Sequence, residues 1–203
     1  MHDVSKQGDA PMVAHLLSSW SESYSSSMAP FFKPALATGL THLSPCLPKD
    51  ARFLDVGCGG GALGSAMCDI GVVVGLDLDP DVLSKAREHA PDVKFVRGNA
   101  ERLPFRDGAF DALCSMSVLQ YLNWKVAIQE CARVLRPGGR GFFFENLRGN
   151  PFARLYRIIR SLAMPYPRYT TPIHHIDWQE RSEFERIFDQ VEFSTFHILT
   201  PLV

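Results

Sequence analysis

The chain has 203 residues, a mass of 22.7 kDa and a formal net charge of −1, from 21 Lys and Arg against 22 Asp and Glu. Apolar residues make up 46% and charged residues 21% of it, which excludes a disordered chain and suits a single domain over 1–203. The balanced charge argues against nucleic acid as a partner, and because neither a transmembrane segment nor a signal peptide is predicted, we expect a cytoplasmic location.

Strands and helices alternate along most of the chain. The predicted strands cover 52–57, 72–76, 93–96, 110–115, 141–145 and 191–199. The predicted helices cover 11–20, 30–43, 62–70, a segment that starts at Pro80, 125–135, 151–163 and 178–188. This alternation predicts an α/β fold, a Rossmann-like three-layer sandwich with a mainly parallel sheet and helices on both faces.

The cysteines indicate neither a metal site nor disulfides. The chain has five cysteines and no CxxC pair, which argues against a zinc site or a disulfide framework. Cys114 and Cys131 lie in apolar runs, so we expect them to be buried.

The most informative motif is the glycine loop at 57–61, which contains four glycines between a predicted strand and a predicted helix. Glycine permits a tight turn and lets the backbone approach a ligand closely. Asp77, at the end of the next strand, is placed to accept hydrogen bonds from both hydroxyls of a ribose. Gly57, Gly59 and Ala62 also match the dinucleotide fingerprint G-x-G-x-x-G/A, so the loop alone does not identify the ligand.

Three further features distinguish the ligands that such a loop binds. Asp55 directly precedes the loop, where a carboxylate repels a pyrophosphate but attracts the amino group of a methionine moiety. Asn99 and the backbone N–H of Ala100 follow the third strand and suit the edge of an adenine ring. The segment 134–139 closes a helix and leads into the fifth strand.

These segments resemble class I S-adenosylmethionine-dependent methyltransferases of the broad small-molecule group called type 11. The resemblance covers about residues 53–145 and rests on the segments 55–59, 75–80, 98–105 and 135–139. It implies S-adenosylmethionine as cofactor, S-adenosylhomocysteine as product and a small-molecule acceptor. The methyl group would pass to an O, N or C atom, mainly through positioning and desolvation.

The residues that the resemblance places around the cofactor lie at or after the ends of the first four strands: Asp55, Gly57, Cys58, Gly59, Gly61, Asp77, Leu78, Asn99, Ala100 and Ser115. Asp55 and the glycine loop would hold the methionine part. Asp77 would hold the ribose, Leu78 would pack on adenine, and Ser115 with Met116 would line the sulfonium. Two departures weaken the match: the family usually has Asp at the position of Asn99, and often a His where 119–121 reads Leu-Gln-Tyr.

Two adjacent histidines are the candidate catalytic bases. His174 and His175 follow the fifth strand, and a histidine can take a proton from a hydroxyl near neutral pH. A structural or substrate-positioning role is the alternative, and without a third ligand the pair predicts no metal site. Glu145 is a second candidate base, with capping of a loop or pairing with an arginine as its alternative.

The remaining segments would surround this core, which covers 51–146. Residues 1–50 are expected to form a helical N-terminal lid, whose Trp20 and Tyr24 close over the cofactor or pack on the sheet. An arginine-rich cap insert covers 147–177, and a final helix and strand cover 178–203. Arginines on the helix at 151–163 form a solvated face, bind an anionic acceptor, or contact anionic lipid headgroups at a membrane surface.

Two other functions and the length of the chain stay open. The alternatives to a methyltransferase are a non-catalytic S-adenosylmethionine-binding module and an NAD-dependent oxidoreductase. The family usually has seven strands, but only six can be placed, so the seventh is predicted to be missing: either the variant is shortened, or the sequence was cut from a longer protein. The sequence predicts no particular oligomeric state.

Overall fold

Five parallel strands form the centre of the fold. The structure, a computed structural model, describes residues 14–15, 17–18, 29–43, 47–145 and 175–194. The strands are β1 Ala51–Val56, β2 Gly71–Asp77, β3 Lys94–Arg97, β4 Phe110–Met116 and β5 Leu135–Phe144. Their order across the sheet is β3-β2-β1-β4-β5. The predicted parallel sheet is therefore confirmed.

Five α-helices and three 3-10 turns connect or flank these strands in the described part of the chain. The helices are α1 Ala29–Leu43, α2 Ala62–Met67, α3 Pro80–His89, α4 Trp124–Val134 and α5 Ser182–Ile187. The 3-10 turns are Cys68–Ile70, Leu119–Tyr121 and Trp178–Arg181. Residues 14–15 and 17–18 are also helical. Asp79 caps the start of α3, because its side chain accepts hydrogen bonds from the backbone N–H groups of Asp81 and Val82.

Successive residues of β1 pack on opposite faces of the sheet. Phe53 lies in a cluster with Leu36 of α1 and Met67 of α2, whereas Leu54 lies in a cluster with Cys131 of α4. Both faces of a parallel strand must therefore be apolar, which explains its nearly continuous hydrophobic sequence. This arrangement confirms the three-layer sandwich, and Cys114 and Cys131 are buried as expected.

The strand order creates a crevice between β1 and β4. The chain passes from β1 to β2 and β3 on one side, and then crosses to β4 and β5 on the other. Connections that leave the carboxyl ends of two neighbouring strands in opposite directions open a space between them, where α/β proteins bind ligands. The fold thus places the glycine loop after β1 beside residues 117–119 after β4.

The structure corrects two predicted elements. Residues 191–194 form no strand, because Val191 and Phe193 pack against aromatic side chains instead of pairing with the sheet. The predicted fifth strand at 141–145 begins earlier, at Leu135, because Leu135 already pairs with Phe110 in the sheet, and α4 therefore ends at Val134. The register is then interrupted before Ala112 pairs with Arg140. The segment 136–139 lies within this irregularity, near the start of β5. It is therefore distant along the strand from the carboxyl ends that border the crevice.

Several predicted features lie outside the described residues. They are Trp20, Tyr24, the helix at 151–163 with its arginines, His174, and the remainder of the predicted sixth strand at 195–199. Among the helices that the structure describes, none is both long and apolar enough to cross a membrane.

Candidate functional site

The glycine loop turns sharply against the end of β2. The backbone N–H groups of Gly57 and Cys58 both donate to the carbonyl oxygen of Leu76, at 2.7 and 3.0 Å. Gly57 has φ +70°, and a Cβ atom there would lie 2.3 Å from the side chain of Val118. Only glycine fits this conformation and this contact together. The loop is thereby held between β2 and the segment that follows β4.

Asp77 joins the end of β2 to the same loop. Its Oδ2 accepts a hydrogen bond from the N–H of Gly59 at 3.0 Å, and its Oδ1 accepts one from the N–H of Asp79 at 3.1 Å. A carboxylate oxygen has two acceptor positions, so each oxygen retains one for a further donor. The carboxylate is thus fixed in place while keeping the capacity for the two hydroxyls of a ribose.

Asp55 is a buried carboxyl group at the end of β1. It is 3% exposed, and its Oδ2 has no hydrogen-bond partner. Burial raises its pKa to about 7, because the charged form loses hydration, and the N–H of Gly64 opposes this rise only in part. The nearby Asp77 carboxylate raises the pKa further. A cationic group placed at Oδ2 would relieve this cost.

The buried oxygens without partners are concentrated at one edge of the sheet. Within the part of the chain that the structure describes, every buried side-chain oxygen that lacks a hydrogen bond lies near the carboxyl ends of β1, β4 and β5: Asp55 Oδ2, Ser115 Oγ, Ser117 Oγ and Glu145 Oε2. An unsatisfied buried polar atom costs about 1–3 kcal/mol. Such costs concentrated at the crevice are typical of a functional site.

The segment after β3 presents the predicted adenine side. Leu78, just past β2, is 59% exposed, which is unusual for a large apolar side chain and leaves a surface for an aromatic ring. The Oδ1 of exposed Asn99 accepts a hydrogen bond from the N–H of Glu101 at 2.8 Å, so one of its two acceptor positions is occupied. Ala100 is buried, at 6% exposure.

Arg133 of α4 holds the segment that follows β3, on the predicted adenine side, against α4. Its guanidinium donates to the carbonyl oxygens of Leu103 and Phe105, at 3.1 and 2.8 Å. It also pairs with Glu130 and Asp107, at 2.8 and 2.7 Å. The sequence analysis did not single out Arg133, because an exposed i, i+3 charge pair with Glu130 is its simplest interpretation. Nothing in the sequence links it to a loop that lies 30 residues earlier.

The candidate bases occupy different environments. Glu145 follows β5 and accepts hydrogen bonds at Oε1 from the N–H groups of Val118 and Leu119, both at 2.9 Å. The capping alternative for Glu145 is therefore the one that the structure shows. His175 is half-buried, and its neighbour Ile176 packs with Leu119 after β4. His174 is outside the described residues.

The described residues fit S-adenosylmethionine. The unpartnered Asp55 oxygen suits an ammonium group, Asp77 suits the ribose, and exposed Leu78 suits the adenine ring. Two predicted contacts are less accessible, since Ser115 is 0% and Cys58 8% exposed. Among the described residues, no group of three or more His, Cys, Asp or Glu could hold a metal ion.

Comparison with known proteins identifies the family. A family model described as a methyltransferase domain matches residues 54–143. An uncharacterized methyltransferase of Mycobacterium bovis is 30% identical over 168 residues, which cover 76% of this chain and 69% of that protein. A demethylmenaquinone methyltransferase of Chlorobaculum tepidum is 32% identical over 122 residues, which cover 58% of this chain and 50% of the relative. The chain thus spans between half and about two thirds of these relatives.

A solved structure shares the fold. A protein of Pyrococcus horikoshii superposes with a TM-score of 0.56 and 28% identity, over 68% of this chain and 62% of that one. The fold, the glycine loop and the relatives together define a class I methyltransferase domain with a Rossmann-like fold. The chain belongs to the methyltransferase domain family, which confirms the predicted resemblance to S-adenosylmethionine-dependent methyltransferases.

Proposed function

We propose that this protein transfers a methyl group from S-adenosylmethionine to a small-molecule acceptor, and that the crevice between β1 and β4 is where the transfer takes place. The observation that carries the proposal is the buried Asp55 carboxyl, whose Oδ2 lacks a partner beside a glycine loop. An amino acid ammonium group is complementary to such a carboxylate, whereas the pyrophosphate of NAD is repelled by it. The family membership independently supports the same cofactor.

Each part of the cofactor has proposed contacts among the predicted residues. Asp55 with the loop residues Gly57, Cys58, Gly59 and Gly61 holds the methionine part. Asp77 binds the ribose, Leu78 covers the adenine face, and Asn99 with Ala100 binds its edge. Ser115, which is fully buried, lies with Met116 beside the reacting end. When bound, S-adenosylmethionine supplies a methyl group that is already strongly electrophilic.

The protein contributes mainly orientation and exclusion of water, which suffice when the electrophile is already activated. His175 is the proposed proton acceptor for a hydroxyl or amine nucleophile, with His174 as the other predicted candidate. A general base adds about 10²–10⁴-fold when the nucleophile carries a proton of high pKa. The demethylmenaquinone methyltransferase among the relatives makes quinones a first class of acceptor to test. An anionic acceptor and a cytoplasmic location remain part of the proposal.

Calorimetric titration with S-adenosylhomocysteine and with NAD tests the cofactor. We expect the first to bind and the second to show no heat of binding. Asp55→Asn should weaken S-adenosylhomocysteine binding, since the neutral amide lacks the charge. Asp111→Asn, at the start of β4 and thus away from the carboxyl ends of the strands, should leave that binding unchanged. Tight binding of NAD without binding of S-adenosylhomocysteine would overturn the proposal.

Transfer of labelled methyl groups to a panel of acceptors tests catalysis. The panel should contain phenols, hydroxylated quinones, amines and carboxylate-bearing compounds, with each assay repeated for His175→Ala. A protein that binds S-adenosylhomocysteine but neither modifies any member of the panel nor hydrolyses its cofactor would be a binding module. If His175 is the base, His175→Ala lowers turnover far more than cofactor affinity.

A further inference from the structure

Glu145 connects the end of β5 to the turn that follows β4. Its Oε1 accepts hydrogen bonds from two consecutive backbone N–H groups, those of Val118 and Leu119, each at 2.9 Å. These groups lie at the start of the 3-10 turn Leu119–Tyr121, where the first N–H groups have no partner within the turn itself. A carboxylate that accepts such a pair fixes the backbone more firmly than a neutral acceptor does.

Val118, the residue before the 3-10 turn, contacts the glycine loop. The side chain of Val118 lies so close to Gly57 that a Cβ atom on Gly57 would be 2.3 Å from it. The next residue, Leu119, is fully buried and packs with Ile176, which directly follows His175. One short segment therefore contacts the glycine loop on one side and, on the other, the residue next to His175, the proposed proton acceptor.

The backbone before the capped turn is in an unusual conformation. Ser117 has φ +59°, which non-glycine residues seldom adopt, and its N–H donates to the carbonyl oxygen of Phe144 at 2.7 Å. The two hydrogen bonds to Glu145 thus continue the pairing of β4 with β5 past the end of the sheet. Such a conformation persists only where the surroundings hold it.

We propose that Glu145 is a positioning residue that holds Val118 against Gly57 and thereby sets the shape of the cofactor's methionine end. The inference rests on the proposed function, since it concerns the same crevice. Glu145 acts through Val118 and does not take the proton of the acceptor. Its Oε1 accepts from the two N–H groups, and the carbonyl oxygen of a glutamine at this place would keep both hydrogen bonds, whereas the basic site at the unpartnered Oε2 would be lost.

Three variants separate these roles. Glu145→Gln retains an acceptor oxygen but no basic carboxylate, Glu145→Ala removes both, and Val118→Ala keeps the capped turn while removing the contact with Gly57. We expect Glu145→Ala to weaken S-adenosylhomocysteine binding by about tenfold, and Glu145→Gln to stay within about threefold of the wild type in both affinity and kcat. A loss of kcat by 100-fold or more in Glu145→Gln would make Glu145 a general base and overturn the inference.

A double-mutant cycle tests the route through Val118. If Glu145 acts by placing Val118, then Glu145→Ala should have little further effect on affinity in a Val118→Ala background. If the losses of affinity in the two single variants multiply in the double variant, the inference is overturned. Asp111→Ala is the matched control, because Asp111 also accepts a backbone hydrogen bond across strands, from Arg52 at 2.7 Å, but at the opposite edge. It should lower stability and leave affinity unchanged.

Amide hydrogen exchange keeps this inference separate from the proposed function. The N–H groups of Val118 and Leu119 should be protected in the wild type and in Glu145→Gln, and should exchange faster in Glu145→Ala, with or without ligand. A wild type that fails to bind S-adenosylhomocysteine would overturn the proposed function, and with it the role assigned to Glu145. Equal protection in all three proteins would overturn the positioning role alone, even where binding is normal.

Discussion

The backbone N–H of Gly59 donates a 3.0 Å hydrogen bond to Oδ2 of Asp77, which ties the glycine loop after β1 to the end of β2. The same carboxylate also accepts from the N–H of Asp79 through Oδ1. Asp77 therefore has two roles: it orders the loop in the absence of ligand, and it retains acceptor positions toward the crevice. Changes at Asp77 should alter binding more than the global stability of the protein.

We expect Asp77→Ala to weaken S-adenosylhomocysteine binding by about 1–3 kcal/mol, because two ribose hydroxyls lose their acceptor and Gly59 loses its tether. Calorimetric titration measures this change. Asp79→Ala is the neighbouring control: its side chain caps α3, so the variant should lose about 1 kcal/mol of stability with little change in affinity. Equal affinities for wild type and Asp77→Ala would show that the ribose binds elsewhere.

Gly57→Ala should destabilise the protein and impair binding. The added methyl group meets Val118 at 2.3 Å, and alanine is also strained at φ +70°. We expect a loss of about 2–4 kcal/mol in the free energy of unfolding, measured by urea denaturation. Combination with Val118→Ala should recover the part caused by the clash but not the backbone strain. No recovery in the double variant would mean that Val118 moves freely away from the loop.

Arg133→Ala should loosen the adenine side of the site. The variant leaves Glu130 and the carbonyl oxygens of Leu103 and Phe105 without their donor, which should cost about 1–3 kcal/mol of stability. Arg186, which pairs with Glu183 at the surface, is the matched control, and Arg186→Ala should change stability by less than about 1 kcal/mol. Denaturant titration compares the two, and losses of similar size would contradict the role of Arg133.

The pH dependence of the free energy of unfolding should reflect the raised pKa of Asp55. Because burial raises its pKa to about 7, the folded protein keeps a proton that the unfolded chain loses from about pH 4 upward. The free energy of unfolding therefore falls as pH rises between about 4 and 7, and Asp55→Asn should remove this contribution. Glu145 shifts in the same direction, so the informative quantity is the difference between wild type and Asp55→Asn. Two parallel curves would contradict the raised pKa.

Ligand binding should lower the pKa of Asp55. An ammonium group beside Asp55 favours its ionised form, so the affinity for S-adenosylhomocysteine should rise with pH up to about 7 and then level off. Titrations between pH 5.5 and 8 in wild type and Asp55→Asn test this expectation. A wild-type affinity that is independent of pH would indicate that the ammonium group does not lie beside Asp55.

The sequence was most informative where one residue type admits few conformations. The glycines at 57–61 correctly predicted a turn, Pro80 the start of a helix, and the apolar run of β1 a strand. The segment at 191–194 was predicted wrongly, because apolar residues in a short segment indicate burial but not pairing in a sheet. Phe193 is partly covered by Trp178 and Phe184, and such packing can produce the same pattern as pairing in a sheet.

The contacts that shape the site join residues far apart in the chain, and for that reason the sequence could not supply them. The carboxylate of Glu145 reaches the N–H groups of residues 26 and 27 positions earlier. Val118 limits Gly57 through a side-chain contact that no local pattern records. The types of the site residues were therefore predictable, whereas the partners that orient them were not.

The exposure of Leu78 has a thermodynamic consequence for the ligand-free protein. A leucine that is 59% exposed keeps apolar surface in contact with water, and a ligand ring that covers it removes that surface. The enthalpy of cofactor binding should therefore become more negative as the temperature rises, because burial of apolar surface lowers the heat capacity. Leu78→Ser should reduce that temperature dependence while the hydrogen bonds of Asp77 persist. In this respect, water released from a single leucine would help to select an adenine ring over a more polar group.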